Sequence, residues 1–129
     1  MEKEYEIEEV EQNASNKEYM MQALKDKSAW VIAYADDKLH DDKELMLEAV
    51  KCDGQNLYYA SQELRDDKDV VLAAVSQKWL ILKYASKRLR GNKDVVLAAI
   101  KQNPDAIEFA TDEIKVEPEI KEALLKKDD

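Results

Sequence analysis

The sequence predicts an all-α protein: an α-solenoid of four helix-turn-helix repeats of period 25, with a short acidic N-terminal lead-in and a C-terminal capping helix. Three observations carry this. An aromatic residue followed by alanine recurs at 34/35, 59/60, 84/85 and 109/110. Residues suited to cap a helix start, Asn16, Asp42, Asp67 and Asn92, recur in step with it. The 129 residues include only two Gly and two Pro against 38% charged side chains, which suits short helices joined by tight turns and gives a β reading no support. A period of about 20–50 residues marks stacked units, each too small to bury its own apolar face.

Residues 1–15 precede the first copy and do not match the repeat columns. Two readings fit them: a lead-in whose Tyr5, Ile7 and Val10 cover the first apolar face, or a frayed charged tail. The copies then run 16–41, 42–66, 67–91 and 92–117, the first with one extra residue in its middle turn.

In each copy the first helix starts at the cap column, and two residues later stand Glu18, Glu44, Asp69 and Asp94, carboxylates suited to the positive end of the helix dipole. Only a narrow stripe tolerates polar residues (Glu44, Glu48 and Lys51 in the second copy), as expected of a helix enclosed by neighbours. The second helix is read from the i, i+3, i+4, i+7 spacing of Leu57, Ala60, Ser61 and Leu64, or of Ile107, Ala110, Thr111 and Ile114. Alanine columns at 23/49/74/99 and 35/60/85/110 mark close contacts between axes. Helices this short are unstable alone, so stacking must hold them.

The capping helix, 118–129, begins on Pro118, which needs no N–H partner at a first helical position. Lys121 and Glu122 occupy the columns of Val96 and Leu97. A polar outer face suits the end of a finite stack, and the expectation is of a complete chain of one domain.

The net charge of −9 is placed unevenly: residues 1–16 carry −5, residues 105–129 carry −5, and the stretch between them carries +1. That disfavours nucleic acid or an anionic membrane as the main partner, since phosphate contact needs a basic stripe. The third copy is locally basic, with Lys78, Lys83, Lys87, Arg88 and Arg90; ion pairing with Glu108, Asp112 and Glu113 of the fourth copy and an anion site are the two readings, the first favoured. The acidic amino terminus lacks the apolar segment of a secretory signal, no run is long enough to span a bilayer, and the lone Cys52 suits a reducing compartment. The expected location is the cytoplasm.

Groups for catalysis are few. His40, the only histidine, stands in a turn beside Asp41 and Asp42 and reads as a solvated turn residue rather than a general base. One His and one Cys do not make a metal site, the aspartates fit no calcium loop, and no glycine-rich phosphate loop occurs, so the expectation is no enzyme, no cofactor and no metal.

The departures from the repeat are more informative. The column before the second helix reads Ala29, Gly54, Trp79 and Pro104, the next Trp30, Gln55, Leu80 and Asp105, and the next Val31, Asn56, Ile81 and Ala106. Trp79, Leu80, Ile81 and Trp30 therefore either patch the core between copies or form an aromatic anchor surface, which Tyr58 would join. With Lys83, Lys87 and Arg88 these are the candidate protein-binding residues; the ladder of Tyr34, Tyr59, Tyr84 and Phe109 reads as structural.

Over residues 16–117, and most closely at Asp67–Ala74, Tyr84–Leu89 and Asn92–Asn103, the chain resembles the bacterial short helical repeats catalogued as a domain of unknown function. It departs from that pattern at Trp79, at Ile81 and throughout 1–15. The resemblance implies a fold and carries over no catalytic residue. The leading expectation is a non-enzymatic solenoid that binds another protein through the variable face of its second helices. The alternative is an acidic phage or mobile-element inhibitor that occupies the basic channel of a nucleic-acid-processing enzyme such as a CRISPR effector nuclease, an analogy of size and charge. A small enzyme built on the His40 turn comes third.

Overall fold

Each copy starts on a side-chain cap. In the computed structural model, which describes residues 4–127 (for Lys127 the backbone alone), the side chains of Asn16, Asp42, Asp67 and Asn92 accept the backbone N–H groups of Tyr19, Leu45, Val70 and Val95. The helices that follow are α2 (Lys17–Lys25), α4 (Lys43–Cys52), α6 (Lys68–Val75) and α8 (Lys93–Gln102), with α1 (Ile7–Gln12) before them and α10 (Pro118–Lys127) after. Consecutive members of the series α2, α4, α6, α8, α10 pack side by side in one layer. Ala23, Ala49, Ala74 and Ala99 are fully buried where neighbouring helices approach, and Met46, Val71 and Val96 fill the spaces between copies. Residues 1–3 of the lead-in and 128–129 of the capping segment lie outside the described residues.

The second half of each copy is not one helix, as its periodicity implied. It is a 3-10 helix followed by a single α turn: η1 (Ala29–Tyr34) with α3 (Asp37–His40), η2 (Gly54–Tyr59) with α5 (Gln62–Arg65), η3 (Trp79–Tyr84) with α7 (Lys87–Arg90), and η4 (Pro104–Phe109) with α9 (Asp112–Lys115). The break falls at Ala35, Ala60, Ala85 and Ala110, which are extended with ψ of 151, 150, 158 and 154°. Its cause lies one copy away. The N–H of the next residue crosses to the preceding copy: Asp36 to the Ala14 carbonyl (2.8 Å), Ser61 to His40 (3.0 Å), Ser86 to Arg65 (2.9 Å) and Thr111 to Arg90 (3.1 Å). Side chains of Asp36, Ser61 and Ser86 then cap the N–H groups of Leu39, Leu64 and Leu89, starting a new turn. The four 3-10 helices stack into a second layer.

The lead-in is ordered over its described residues. Val10 is fully buried, Tyr5 packs edge-on against Tyr19 with ring centroids 5.7 Å apart, and the Tyr5 hydroxyl donates to Asp26 at 2.5 Å. Burial first, then the Asp26 carboxylate, push the Tyr5 phenol up to about 12. Ala14, by accepting the Asp36 N–H, stands where the last helical residue of a preceding copy, such as His40 or Arg65, would stand.

The extra residue of the first copy is absorbed at Lys27, whose φ of 70° lies in the left-handed region. Lys27 N–H bonds the Leu24 carbonyl and Ser28 N–H the Ala23 carbonyl, the paired bonds of a Schellman stop. Gly54 is required by close approach, since a Cβ there would lie 2.6 Å from the Ala74 carbonyl oxygen. In α10, Ile120 is fully buried while Lys121 and Glu122 face outward.

A second ladder crosses between first helices. Lys17 pairs with Asp42 and Glu44 of the next copy at 2.9 and 3.1 Å, Lys43 with Asp67 and Asp69 at 3.0 Å each, Lys68 with Asp94 at 2.7 Å, and Lys93 with Glu119 at 3.0 Å. The first-turn carboxylates thus answer both the helix dipole and the preceding lysine. Burial alone would raise the Asp67 carboxyl, but Lys43 and the Val70 N–H outweigh it and hold it below its usual range; the Lys68 ammonium lowers Asp94. Among the described residues no helix is long and apolar enough to cross a membrane.

Two predictions follow from this packing. Ala74→Leu overfills a closed helix contact and should cost about 1–3 kcal/mol, whereas Lys87→Ala at an exposed site should cost well under about 1 kcal/mol; equal urea midpoints would place the buried face wrongly. The second concerns acid. A carboxyl depressed in the folded state adds stability above its unfolded pKa of about 4, and that stability is lost as pH falls through the folded value. Asp67→Asn keeps a capping side chain and loses the charge, so its deficit against wild type should be present at neutral pH and close in acid; a deficit independent of pH would show that the Lys43 pair does not stabilise the fold.

Candidate protein-binding face

In a 3-10 helix, positions i and i+3 eclipse, so one edge of each stacked 3-10 helix presents its second and fifth residues together. The columns so exposed are Trp30/Gln55/Leu80/Asp105 and Ala33/Tyr58/Lys83/Glu108. Trp30 is 41% exposed, Tyr58 55% and Leu80 48%, high for large apolar side chains and placed on the same side of three consecutive copies. Trp30 packs edge-on against Tyr34 (5.8 Å between centroids), Tyr58 edge-on against Tyr59 (5.2 Å) and Tyr84 (5.4 Å), and the Lys83 ammonium lies 5.1 Å from the Tyr84 ring centre. The edge-to-face contacts hold these rings in place without covering them.

The candidates of the sequence divide three ways. Trp30, Tyr58, Leu80 and Lys83 come together on this face. Ile81 does not: it is 1% exposed, in a column (Val31, Asn56, Ile81, Ala106) that points into the core in every copy, because the third residue of the 3-10 helix faces the first-helix layer. Trp79 is half-buried, its ring tilted against Phe109 of the next copy at 6.5 Å, while one edge borders a shallow hollow with Gln77, Leu80 and Ile81. Lys87 is exposed, and Arg88 is held by the second copy through Asp66 Oδ1 (2.8 Å) and the Asp66 carbonyl (2.6 Å).

In the basic third copy Lys78 and Arg88 pair backward, and the forward pair is that of Lys68 with Asp94. Lys78 meets Asp53 at 2.8 Å and Arg88 meets Asp66, both in the second copy, and among the described residues neither Glu108 nor Glu113 pairs with a third-copy cation. Residues in equivalent columns sit a full repeat apart; the carboxylates within reach are those of the preceding copy's turns, Asp53 in the middle one and Asp66 in the last. Asp66 is lowered first by the Ser86 hydroxyl, which donates to it at 2.6 Å, and then by Arg88.

His40 is not a solvated turn residue. It is half-buried, its Nε2 is 2.7 Å from the Ile32 carbonyl oxygen, to which it donates, and its ring lies 6.0 Å from that of Tyr59. The half-buried Cys52 thiol, raised by burial, points to the Leu24 carbonyl at 3.7 Å. Among the described residues no group of three His, Cys, Asp or Glu side chains could hold a metal ion.

What sequence reasoning missed is the aromatic ladder's share in the face. Tyr34 is 37% exposed and Tyr84 forms the floor on which Tyr58 and Lys83 rest. The signal available was the Asp/Ser/Ser/Thr column at 36/61/86/111, an N-cap type that starts a new turn one residue after the ladder's alanine and so leaves the aromatic as the last residue of the 3-10 helix.

Because Trp79 wedges between copies with only part of its ring in solvent, Trp79→Ala should lose about 2 kcal/mol, somewhat below the cost of deleting a fully buried aromatic. With Trp30 replaced by Phe, Trp79 emission should be blue-shifted in the free protein; a fully solvated spectrum would refute the wedge.

Comparison with protein families gives three overlapping matches to one family, described as a domain of unknown function (DUF4116), over residues 16–65, 42–90 and 67–115, each spanning two consecutive copies. No curated protein and no solved structure matches the chain. The matched span of helical repeats, from the first cap at Asn16 to the last turn at Lys115, places this chain in the DUF4116 family.

Proposed function

We propose that the protein is a non-enzymatic, cytoplasmic binding module that holds another protein against the edge of its 3-10 layer. The observation that carries this is the row of Trp30, Tyr58 and Leu80, exposed together with Tyr34 and Lys83 on a surface whose columns vary between copies. Aromatic side chains fixed by edge contacts and still open to solvent lose little entropy on binding and bury much area, which is how interfaces concentrate their energy. Support for the absence of catalysis is chemical: the one imidazole is spent on a backbone carbonyl and the one thiol is held neutral by burial.

A second reading has an observation of its own. At the fourth copy the same face turns acidic, with Asp105 and Glu108 exposed in its two columns and Asp112 and Glu113 exposed on the turn that follows. An acidic end beside an aromatic row suits a partner with a basic surface, including the nucleic-acid channel of a nuclease that the protein would inhibit.

Affinity capture separates these readings. Wild type and a Trp30→Ala/Tyr58→Ala double variant are used as baits in parallel, with melting checked first. A partner retained by wild type should bind the variant at least about thirtyfold more weakly, the equivalent of about 2 kcal/mol. Equal recovery by both baits would remove the aromatic face from the interface. Inhibition predicts in addition that binding weakens steeply with salt and that a captured nuclease loses activity at a molar excess of the protein.

A further inference from the structure

We propose that the notch between the second and third copies, built on Arg65, receives a single aspartate or glutamate carboxylate carried on an otherwise apolar segment of the partner protein; this rests on the protein-binding reading above. The single turns α3, α5, α7 and α9 all end on a basic residue: His40, Arg65, Arg90 and Lys115. Three of the four are occupied. His40 donates to Ile32, Lys115 lies 3.7 Å from Asp112, and Arg90 clamps the next junction, donating from Nε to the Ala85 carbonyl (3.3 Å) and from Nη1 to the Phe109 carbonyl (3.4 Å).

Arg65 holds the same place one copy earlier and makes neither bond. Its Nε is buried with no acceptor, and among the described residues its guanidinium pairs with no carboxylate. A buried donor left without an acceptor costs about 1–3 kcal/mol, so a small swing of this half-buried side chain that brings Nε to an incoming acceptor is favoured here over the equivalent junctions. Beside it opens a notch of about 270 Å³ lined by Gln62, Arg65, Tyr84, Ala85 and Ser86. That is below the range of about 300–1,000 Å³ typical of small-molecule sites and suits a single side chain. Tyr84, one wall of the notch, is the ring on which Tyr58 and Lys83 rest, so the notch continues the aromatic face rather than standing apart from it.

Charge chooses the occupant. The planar guanidinium fork matches a carboxylate. A polyanion such as nucleic acid would bring further phosphates against Glu63 and Asp66 and against a chain of net charge −9, whereas one carboxylate on an otherwise apolar segment would not.

The test is an NMR titration of the isotope-labelled full chain with two blocked tripeptides, Ac-Leu-Glu-Leu-NH2 and Ac-Leu-Gln-Leu-NH2. The glutamate peptide should shift the Arg65 Nε–Hε and Ser86 amide resonances with saturation, the glutamine peptide should bind about tenfold more weakly, and Arg65→Gln should abolish the difference. Should Arg65→Gln fail to fold, Arg65→Lys keeps the charge without the fork and should weaken the glutamate peptide several-fold. Equal shifts with both peptides, no shift at Arg65, persistence in the variant, or an equal response to inorganic phosphate would each overturn the proposal. None of these results bears on capture through Trp30 and Tyr58, so the two readings fail separately.

Discussion

A single backbone hydrogen bond per junction organises the stack. Where a 3-10 helix ends, the chain turns extended at a buried alanine and the following N–H reaches the carbonyl that closes the previous copy, at distances between 2.8 and 3.1 Å. The bond can form only if the chain leaves its helix there, and only a small side chain lets the two copies come close enough: Ala35, Ala60, Ala85 and Ala110 are all at most 6% exposed. Other inter-copy contacts repeat in step with it. Asp41 and Asp66 accept the hydroxyls of Ser61 and Ser86 at 2.6 Å, and each N1 lysine meets carboxylates of the following copy. Such exposed ion pairs contribute little singly; their regular placement reports a register that the backbone has set.

The same arrangement separates the residues that hold the stack from those free to vary. The 3-10 layer gives one side of each short helix to the core, through Ile32, Leu57 and Leu82, and leaves the eclipsed second and fifth residues outside. Substitution there touches no inter-copy bond. The face accordingly runs from Trp30 through Tyr58 and Leu80 to Asp105 and Glu108, aromatic at one end and acidic at the other, on an almost constant scaffold. Stacked repeats make graded surfaces because each copy contributes one row.

Junctions are alike in backbone and unlike in their side-chain closures. Arg90 spans from the Ala85 carbonyl of its own copy to the Phe109 carbonyl of the fourth, while Arg65, in the same column, makes neither bond and stands next to the exposed ring of Tyr58 and the half-buried ring of Tyr84. Polar side chains also cross away from this column: Gln102 reaches the Val75 carbonyl at 2.7 Å on the first-helix side, and Asn56 the Ala29 carbonyl at 3.2 Å between two 3-10 helices. Closure of the layer that carries the candidate face therefore differs from copy to copy, in the basic column as in the bonds around it.

The sequence by itself determined the period, the caps at Asn16, Asp42, Asp67 and Asn92, the alanine contacts and the terminal helix, because each depends on a residue's own chemistry or on neighbours within a turn or two. Only the tertiary structure decided what becomes of the second half of each copy. The spacing of Leu57, Ala60, Ser61 and Leu64 puts those side chains on one side in a continuous helix and equally in a 3-10 helix joined to a single turn, and what selects between them is an acceptor more than twenty residues away. The candidate face followed from the same choice. Trp79, Leu80 and Ile81 read as one apolar run in the sequence, yet the three-residue turn sends Ile81 to the core, Leu80 to solvent and Trp79 into the junction with Phe109. Composition and spacing cannot make that division, because it depends on the angle between successive side chains, which the inter-copy hydrogen bond fixes by ending the helix where it does.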